Sequence, residues 1–290
     1  MHTKPTALCN RISGKRIHLF FLLFLFTAVS QDGLPSPNNY LLGARFDAMA
    51  NATVMIPDLW SLSHNQAGLG WIRRPVVGFH FENKFAVPQY SLSALGAAIP
   101  VKPGTIGFMF YYFGYSKYHD TRFAVSFGRA FTERFAAGIQ LNYIGTYIAD
   151  EYGTYSSIVA EGGIIAEPVK NLYLGAHVYN FTASKMTNPE RERLPVIFRV
   201  GAGYQIQNII FFSVETEKNL DEKAVFRTGV ELSALQNFFL RAGYSTNPSR
   251  PSFGLGYLFK GFRGDLAFTM HPQLGFTPYF SLLYTFGESR

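Results

Sequence analysis

From residue 76 onward the chain alternates with period two. In Val76 to Ala86 one face reads Val77, Phe79, Phe81, Asn83, Phe85 and the other reads Val76, Gly78, His80, Glu82, Lys84. In Ala136 to Tyr147, Ile139, Leu141, Tyr143 and Tyr147 alternate with Gly138, Gln140, Asn142 and Thr146. Phe253 to Phe259 and Phe262 to Met270 repeat the theme. Successive side chains of a strand point to opposite faces, so each segment has one apolar face and one small or polar face. About fourteen such segments are predicted: 76–86, 89–99, 104–115, 121–131, 134–148, 154–166, 171–180, 195–205, 208–218, 223–233, 238–245, 251–260, 262–271 and 276–286. Most are near ten residues, the length a tilted strand needs to cross a bilayer.

Composition narrows the class. Aromatic residues make up 17% and charged residues only 16% of the 290 residues, against roughly 25% charged in ordinary soluble domains. After residue 30 no apolar run reaches the roughly 18 residues of a membrane helix. An apolar, aromatic, charge-poor chain without such runs fits an all-β transmembrane antiparallel β-barrel, in which every second residue faces lipid. A soluble β-sandwich also alternates apolar and polar positions and is the competing architecture.

The connections agree with a barrel. If the first strand runs outward, the periplasmic turns read PVKPG, TER, EPVKN, QN, SALQN and KG, and the outer connections, including YSKYHD, IADEYGTY and FTASKMTNPERERLP, are mostly longer. The C-terminal segment PYFSLLYTFGESR places Tyr284 and Phe286 on the lipid face, like the aromatic ending of outer-membrane proteins, with a tail from Gly287 to Arg290.

The first thirty residues read as a secretory signal: Arg11, Lys15 and Arg16, then the apolar run Leu19 to Val29, then Ala28 and Ser30 at small-residue positions, with cleavage after Ser30. Its removal lowers the formal charge from +7 to +3 and takes away Cys9, the sole cysteine. The mature chain then has no disulfide, thiol nucleophile or Cys metal site, and the high pI carries no nucleic-acid inference. The division is 1–30 signal peptide, 31–75 N-terminal segment and 76–290 barrel.

Charge on a lipid face costs roughly 2–4 kcal/mol for Arg at the midplane. Glu82, Lys84, Arg199, Glu215, Arg227, Glu231, Arg241, Arg263 and Asp265 are therefore expected to face the lumen, with His80 and Glu217. They form either a structural network or a solute-selecting constriction. The same face carries Gly128, Gly138, Gly175, Gly201, Gly203, Gly229, Gly243, Gly254 and Gly256, which leave room for a ligand or a plug. His64, His80, His119, His177 and His271 are scattered without a zinc spacing, and the adjacent Ser63–His64 pair does not place a base on a nucleophile. No catalytic residue, metal or cofactor is expected.

Residues 41–72 lack the strand rhythm yet are apolar enough to need burial. Gly43-Ala44-Arg45, the small-residue run Ala48-Met49-Ala50-Asn51-Ala52, Asp58 and Asn65-Gln66-Ala67-Gly68-Leu69 resemble the N-terminal region of the FadL-type fatty-acid transporters and of their PorV/PorQ relatives in Bacteroidota. The chain departs from that pattern at Gln66, where the family usually has Pro, and lacks the usual Gly pair in its helix. The resemblance implies a fourteen-stranded barrel whose N-terminal segment folds into the lumen as a hatch; a periplasmic cap is the alternative placement. The PorV/PorQ likeness implies a non-enzymatic outer-membrane barrel in type IX-like secretion, holding a translocon subunit or cargo through its outer loops, best through Phe181 to Pro195. The FadL likeness implies instead a transporter of hydrophobic small molecules, with Trp60, His64, Asn65 and Leu69 as ligand contacts. A through-lumen porin is a weaker third reading, since a hatch would block it. Either leading reading expects a monomeric barrel surrounded by outer-membrane lipid, with no nucleic-acid partner.

Overall fold

The computed structural model describes residues 39–150, 153–187 and 193–287. The expected signal peptide lies outside the described residues. Fourteen strands are present among the described residues: β1 Val76–Asn83, β2 Ser91–Val101, β3 Gly104–Tyr115, β4 Tyr118–Thr132, β5 Phe135–Ile148, β6 Gly153–Val169, β7 Leu172–Tyr179, β8 Ile197–Ile206, β9 Ile210–Asn219, β10 Val225–Leu235, β11 Phe238–Ser245, β12 Arg250–Phe259, β13 Phe262–His271 and β14 Gly275–Thr285. Each pairs antiparallel with its sequence neighbours, and β1 pairs with β14 to close the barrel. Closure leaves no sheet edge unpaired in lipid, where an unsatisfied N–H or C=O costs several kcal/mol.

The alternation explains why the sheet closes with this face inward. On β5, Ile139 and Leu141 are 63% and 61% exposed while Gln140 and Asn142 between them are 2% and 1% exposed. Phe79, Leu95, Phe108, Phe110, Phe123, Ile158 and Phe253 continue the exposed apolar belt on other strands. Such a surface is stable only in hydrocarbon, so the barrel belongs in the outer membrane. The seam carries the aromatic ending: Tyr284 sits opposite Val77 and packs 4.5 Å from the Phe262 ring, and the Phe286 N–H donates to Pro75 O.

Differences from the sequence reading fall at the strand ends. The first strand stops at Asn83, because Phe85 and Ala86 take positive φ in the turn that leads to β2. β3 and β4 run on to a Tyr115–Tyr118 pairing, so the connection expected to be a loop is a tight turn; the hydrogen-bonded ladder continues past the bilayer. β6 extends to Val169, yet its register with β7 stops at Gly162–Val178 while its register with β5 continues to Gly153. Beyond that point the connection after β7 lies against β6 instead, with the Thr187 N–H donating to Ser156 O.

Leu141→Arg, at the middle of the lipid-facing row of β5, should lower barrel stability by about 2–4 kcal/mol, and Phe135→Arg at the periplasmic end of the same strand by about 0–1 kcal/mol. Denaturant unfolding of the two variants in lipid vesicles measures both. Equal costs would show that the belt does not sit in hydrocarbon as described.

Candidate functional site

The N-terminal segment packs against the inner wall. Tyr40 lies at the outer end, donating from its hydroxyl to Asp120 Oδ2 at 3.3 Å, with its ring 4.7 Å from that of Phe113 and 4.3 Å beneath Lys84 Nζ. Gly43 follows at φ 113°, a conformation that L side chains avoid, and a Cβ there would meet the Trp60 ring. The short helix α1, Ala44–Ala48, then lies on β12, β13 and β14. Its Ala44 and Ala48 pack against Ala267 and Tyr279, and the Ala44 N–H donates to Ser281 Oγ at 2.8 Å. A second single turn, α2 Ser61–His64, leads to a 3-10 turn, Gln66–Trp71, that contacts β3 to β6.

Lumen-side glycines let this backbone approach the wall. A Cβ at Gly138 would overlap Gln66, one at Gly175 would overlap Val54, one at Gly243 would overlap Met49, and one at Gly254 would overlap Ala48. The small residues of the polar face therefore accommodate the chain's own segment.

The four residues expected to contact a ligand are all buried. Trp60 packs in the lumen 5.7 Å from the His80 ring. Leu69 sits in the apolar cluster with Leu62, Met55 and Phe46. Asn65 ties the N-terminal segment to β6 and β7: its Nδ2 hydrogens are shared among Val54 O at 2.8 Å, Ile164 O at 3.0 Å and Ala176 O at 3.3 Å, while its Oδ1 accepts from the Ala67 N–H at 3.2 Å. His64 Nε2 lies 3.1 Å from Leu42 O, so this nitrogen donates, and Nδ1 at 3.0 Å accepts from the Thr53 hydroxyl. That pattern requires the neutral ring. Burial first, and then the Arg199 guanidinium, hold His64 well below the usual imidazole value.

The charged residues meet in a ring. Arg45 binds Glu231 at 2.6 Å and Asp58 at 3.0 Å; Arg263 binds Asp58 at 2.6 Å and Asp265 at 3.0 Å; Arg241 binds Asp265 at 2.7 Å and Glu231 at 2.6 Å. Two members come from the N-terminal segment and four from β10, β11 and β13. A second group joins Arg199 to Glu217 at 2.7 Å, Arg227 to Glu217 at 2.9 Å and Arg227 to Glu215 at 3.2 Å. Glu215 Oε2 also accepts the N–H groups of Thr53 and Val54, both at 2.8 Å. Glu82 pairs with Lys84 at 3.8 Å near the outer end, Lys84 lying in the turn after β1 and not on a strand. Burial alone would raise the Asp58 carboxyl; the Arg263 and Arg45 guanidiniums outweigh it and hold the group below the usual carboxylate value.

Three solved outer-membrane barrels match this architecture. The toluene transporter TbuX of Ralstonia pickettii superposes with a TM-score of 0.61 at 11% identity, covering 86% of this chain and 98% of its own. The toluene transporter TodX of Pseudomonas putida gives 0.60 at 12%, over 84% and 96%. A FadL homologue of Pseudomonas aeruginosa gives 0.58 at 10%, over 89% and 100%. The chain has the FadL-like barrel fold. No family model and no curated protein matches its sequence, and nothing among these structures carries the PorV/PorQ assignment.

On this FadL-like barrel some polar residues of the lumen escaped the sequence reading. Arg45 and Asp58 appeared only as parts of a motif, because an aperiodic segment gives no face to assign. A third polar group, Arg122 with Glu161, Gln140, Asn142 and His177, lies on inward positions of β4 to β7. The alternation placed Gln140 and Asn142 inward, and extending it to Arg122 and Glu161 would have found the pair.

Two groups of the segment, His64 and Asp58, favour its loosening in acid, against Asp47 of α1, whose carboxyl is pushed up by burial and whose protonation favours the packed segment. A neutral folded His64 binds fewer protons than the unfolded ring, so its contribution is present above about pH 6.5 and declines as pH falls below that value. Asp58, held low, contributes above about pH 4 and loses that contribution as pH falls through its folded value. In a Trp71→Phe background Trp60 emission should shift to the red in both windows, and His64→Gln should diminish the first, the remainder belonging to the buried His80 beside Trp60. A shift unchanged in His64→Gln would assign the first stage elsewhere. Asp58→Asn leaves Arg45 and Arg263 one carboxylate each, so it should cost about 1–3 kcal/mol in denaturant unfolding, and a neutral result would show that the ring does not hold the segment.

Proposed function

We propose that this protein is a non-enzymatic outer-membrane channel for hydrophobic small molecules, in which the N-terminal segment is a hatch that shifts to open the lumen. The likeness to TbuX and TodX, described as toluene transporters, over nearly their whole length supports the transport reading. The carrying observation is the kind of tie that holds the segment. Its anchors to the wall are hydrogen bonds and ion pairs, which water can replace, whereas part of the wall it covers, Leu92, Met109 and Leu283, is apolar. Trp60, His64, Asn65 and Leu69 are the hatch residues that would meet a ligand as the segment moves.

The secretion reading is weaker. The connection expected to hold a partner turns Met186 and Leu194 inward onto Tyr179 and Ile197, and no matched structure favours that role.

A disulfide tests the hatch. Cys9 is the sole cysteine and falls within residues 1–30, and Ala48→Cys with Ala267→Cys faces α1 across to β13, where the two side chains share one packed cluster. Vesicles bearing the reduced double variant should take up labelled toluene faster than empty vesicles, and oxidation should stop the uptake. Unchanged uptake after oxidation would remove the hatch from the mechanism. Uptake no faster than in empty vesicles, for toluene and for longer hydrocarbons alike, would overturn the transport reading itself.

A further inference from the structure

Charge is kept off the lipid-facing rows of the strands except near their ends. Clear of the turns, those rows carry two charged side chains among the described residues, Lys218 and Arg129. Lys218, at the outer end of β9, donates from Nζ to the Glu222 carbonyl. Arg129 stands near the periplasmic end of β4 and forms no ion pair among the described residues. Its guanidinium carbon lies 5.1 Å from the centroid of the Phe131 ring, so the side chain reaches down its own strand toward the periplasm. Phe131 packs 6.0 Å from Phe135, and both rings are exposed on the same outward surface. The cross-strand neighbour of Arg129 is the small Ala137.

The surrounding turns add charge of the same sign. Arg73 and Arg74 precede β1, Lys102 lies in the turn between β2 and β3, and Arg134 lies in the turn between β4 and β5; all four are exposed. None of them is ion-paired among the described residues. Arg73 and Lys102 line one recess of 250 Å3 with Ala130 of β4. Glu133 is the one carboxylate at this end of β1 to β5 among the described residues. Like charges gathered in this way repel unless an anion lies among them.

The position of Arg129 decides which anion. It belongs to an outward row bounded by exposed phenylalanines, at the level where the apolar belt ends. Lipid phosphates lie at that level, whereas a soluble acidic chain would have to displace lipid to reach it. A guanidinium binds phosphate through two parallel N–H···O bonds. A zwitterionic headgroup would bring its own ammonium among the cations of the turns, and an anionic headgroup would not. We propose that the periplasmic ends of β1 to β5 form a site for an anionic phospholipid of the periplasmic leaflet, its phosphate held by Arg129 and its net charge offset by the adjoining turns. The site is independent of whether the barrel conducts a solute.

Native mass spectrometry tests it, on the purified barrel released from mixed micelles with equal amounts of dioleoylphosphatidylglycerol and dioleoylphosphatidylcholine. The barrel should retain phosphatidylglycerol in preference. Arg129→Gln should lower that preference by about tenfold, and Lys218→Gln, at the opposite end, should leave it unchanged. Arg134→Gln should act in the same direction as Arg129→Gln, and it serves if Arg129→Gln fails to give a heat-modifiable barrel. Equal retention of the two lipids, or a preference undiminished in both arginine variants, would overturn the proposal. Displacement of the bound lipid by millimolar inorganic phosphate would overturn it in favour of a free-anion site, and displacement by a hexaglutamate peptide in favour of a protein partner.

Discussion

Six charged side chains alternate in sign around a closed ring, Arg45–Glu231–Arg241–Asp265–Arg263–Asp58, and the placement of the lumenal segment depends on it. Charges on this chain cannot face lipid, so they collect inside. Inside, a lone ion is costly, and each must find partners. The ring solves this by giving every carboxylate two guanidiniums and every guanidinium two carboxylates. It also divides cleanly. Withdrawal of the segment removes Arg45 and Asp58 as a neutral pair and leaves Glu231–Arg241–Asp265–Arg263 as a neutral chain on the wall. Neither half then carries net charge, which lowers the electrostatic barrier to movement relative to a latch made of one ion on each side.

The second constraint is steric. A fourteen-strand barrel encloses a lumen that must be filled or wet. Here the wall opposite the segment is lined by glycine: Gly138 beneath Gln66, Gly175 beneath Val54, Gly243 beneath Met49. The period-two rule then gives each strand two jobs. Outward positions supply bulk for lipid, and inward positions supply space or polarity for the segment. One substitution of an inward glycine would disturb the segment without touching the lipid face.

This division is also why so much was legible in the sequence. Lipid and lumen make opposite demands on neighbouring residues, so Ile139-Gln140-Leu141-Asn142 announces both faces at once. The fourteen strands followed from that signal. Their ends did not, because outside the bilayer the demand relaxes: the pairing of Tyr115 with Tyr118 replaces an expected loop, and β1 stops at Asn83 where the backbone turns. Wall charges such as Glu231 and Arg241 were legible for the same reason as the strands. Arg45 and Asp58, which complete their ring, sit in a segment without periodicity, where spacing carries no directional information. The connection after β7 was expected to hold a partner, yet Met186 and Leu194 pack inward; apolar residues within a charged stretch were the available signal.

A lumen occupied by the N-terminal segment and the proposed transport role are compatible on energetic grounds. The main lumenal cluster joins hatch residues Phe46, Met55, Leu62 and Leu69 to wall residues Leu92, Met109 and Leu283. Displacing the hatch exposes apolar surface on both sides, at about 25 cal/mol per Å2. Water does not cover that surface favourably, but a hydrophobic solute does. Such a solute therefore binds the displaced state better than the sealed one, which is the differential affinity that a ligand needs to shift a conformational equilibrium. Ions and polar solutes gain nothing from the exposed surface. In the proposed channel, the same packing that fills the lumen would make an opening selective for apolar molecules.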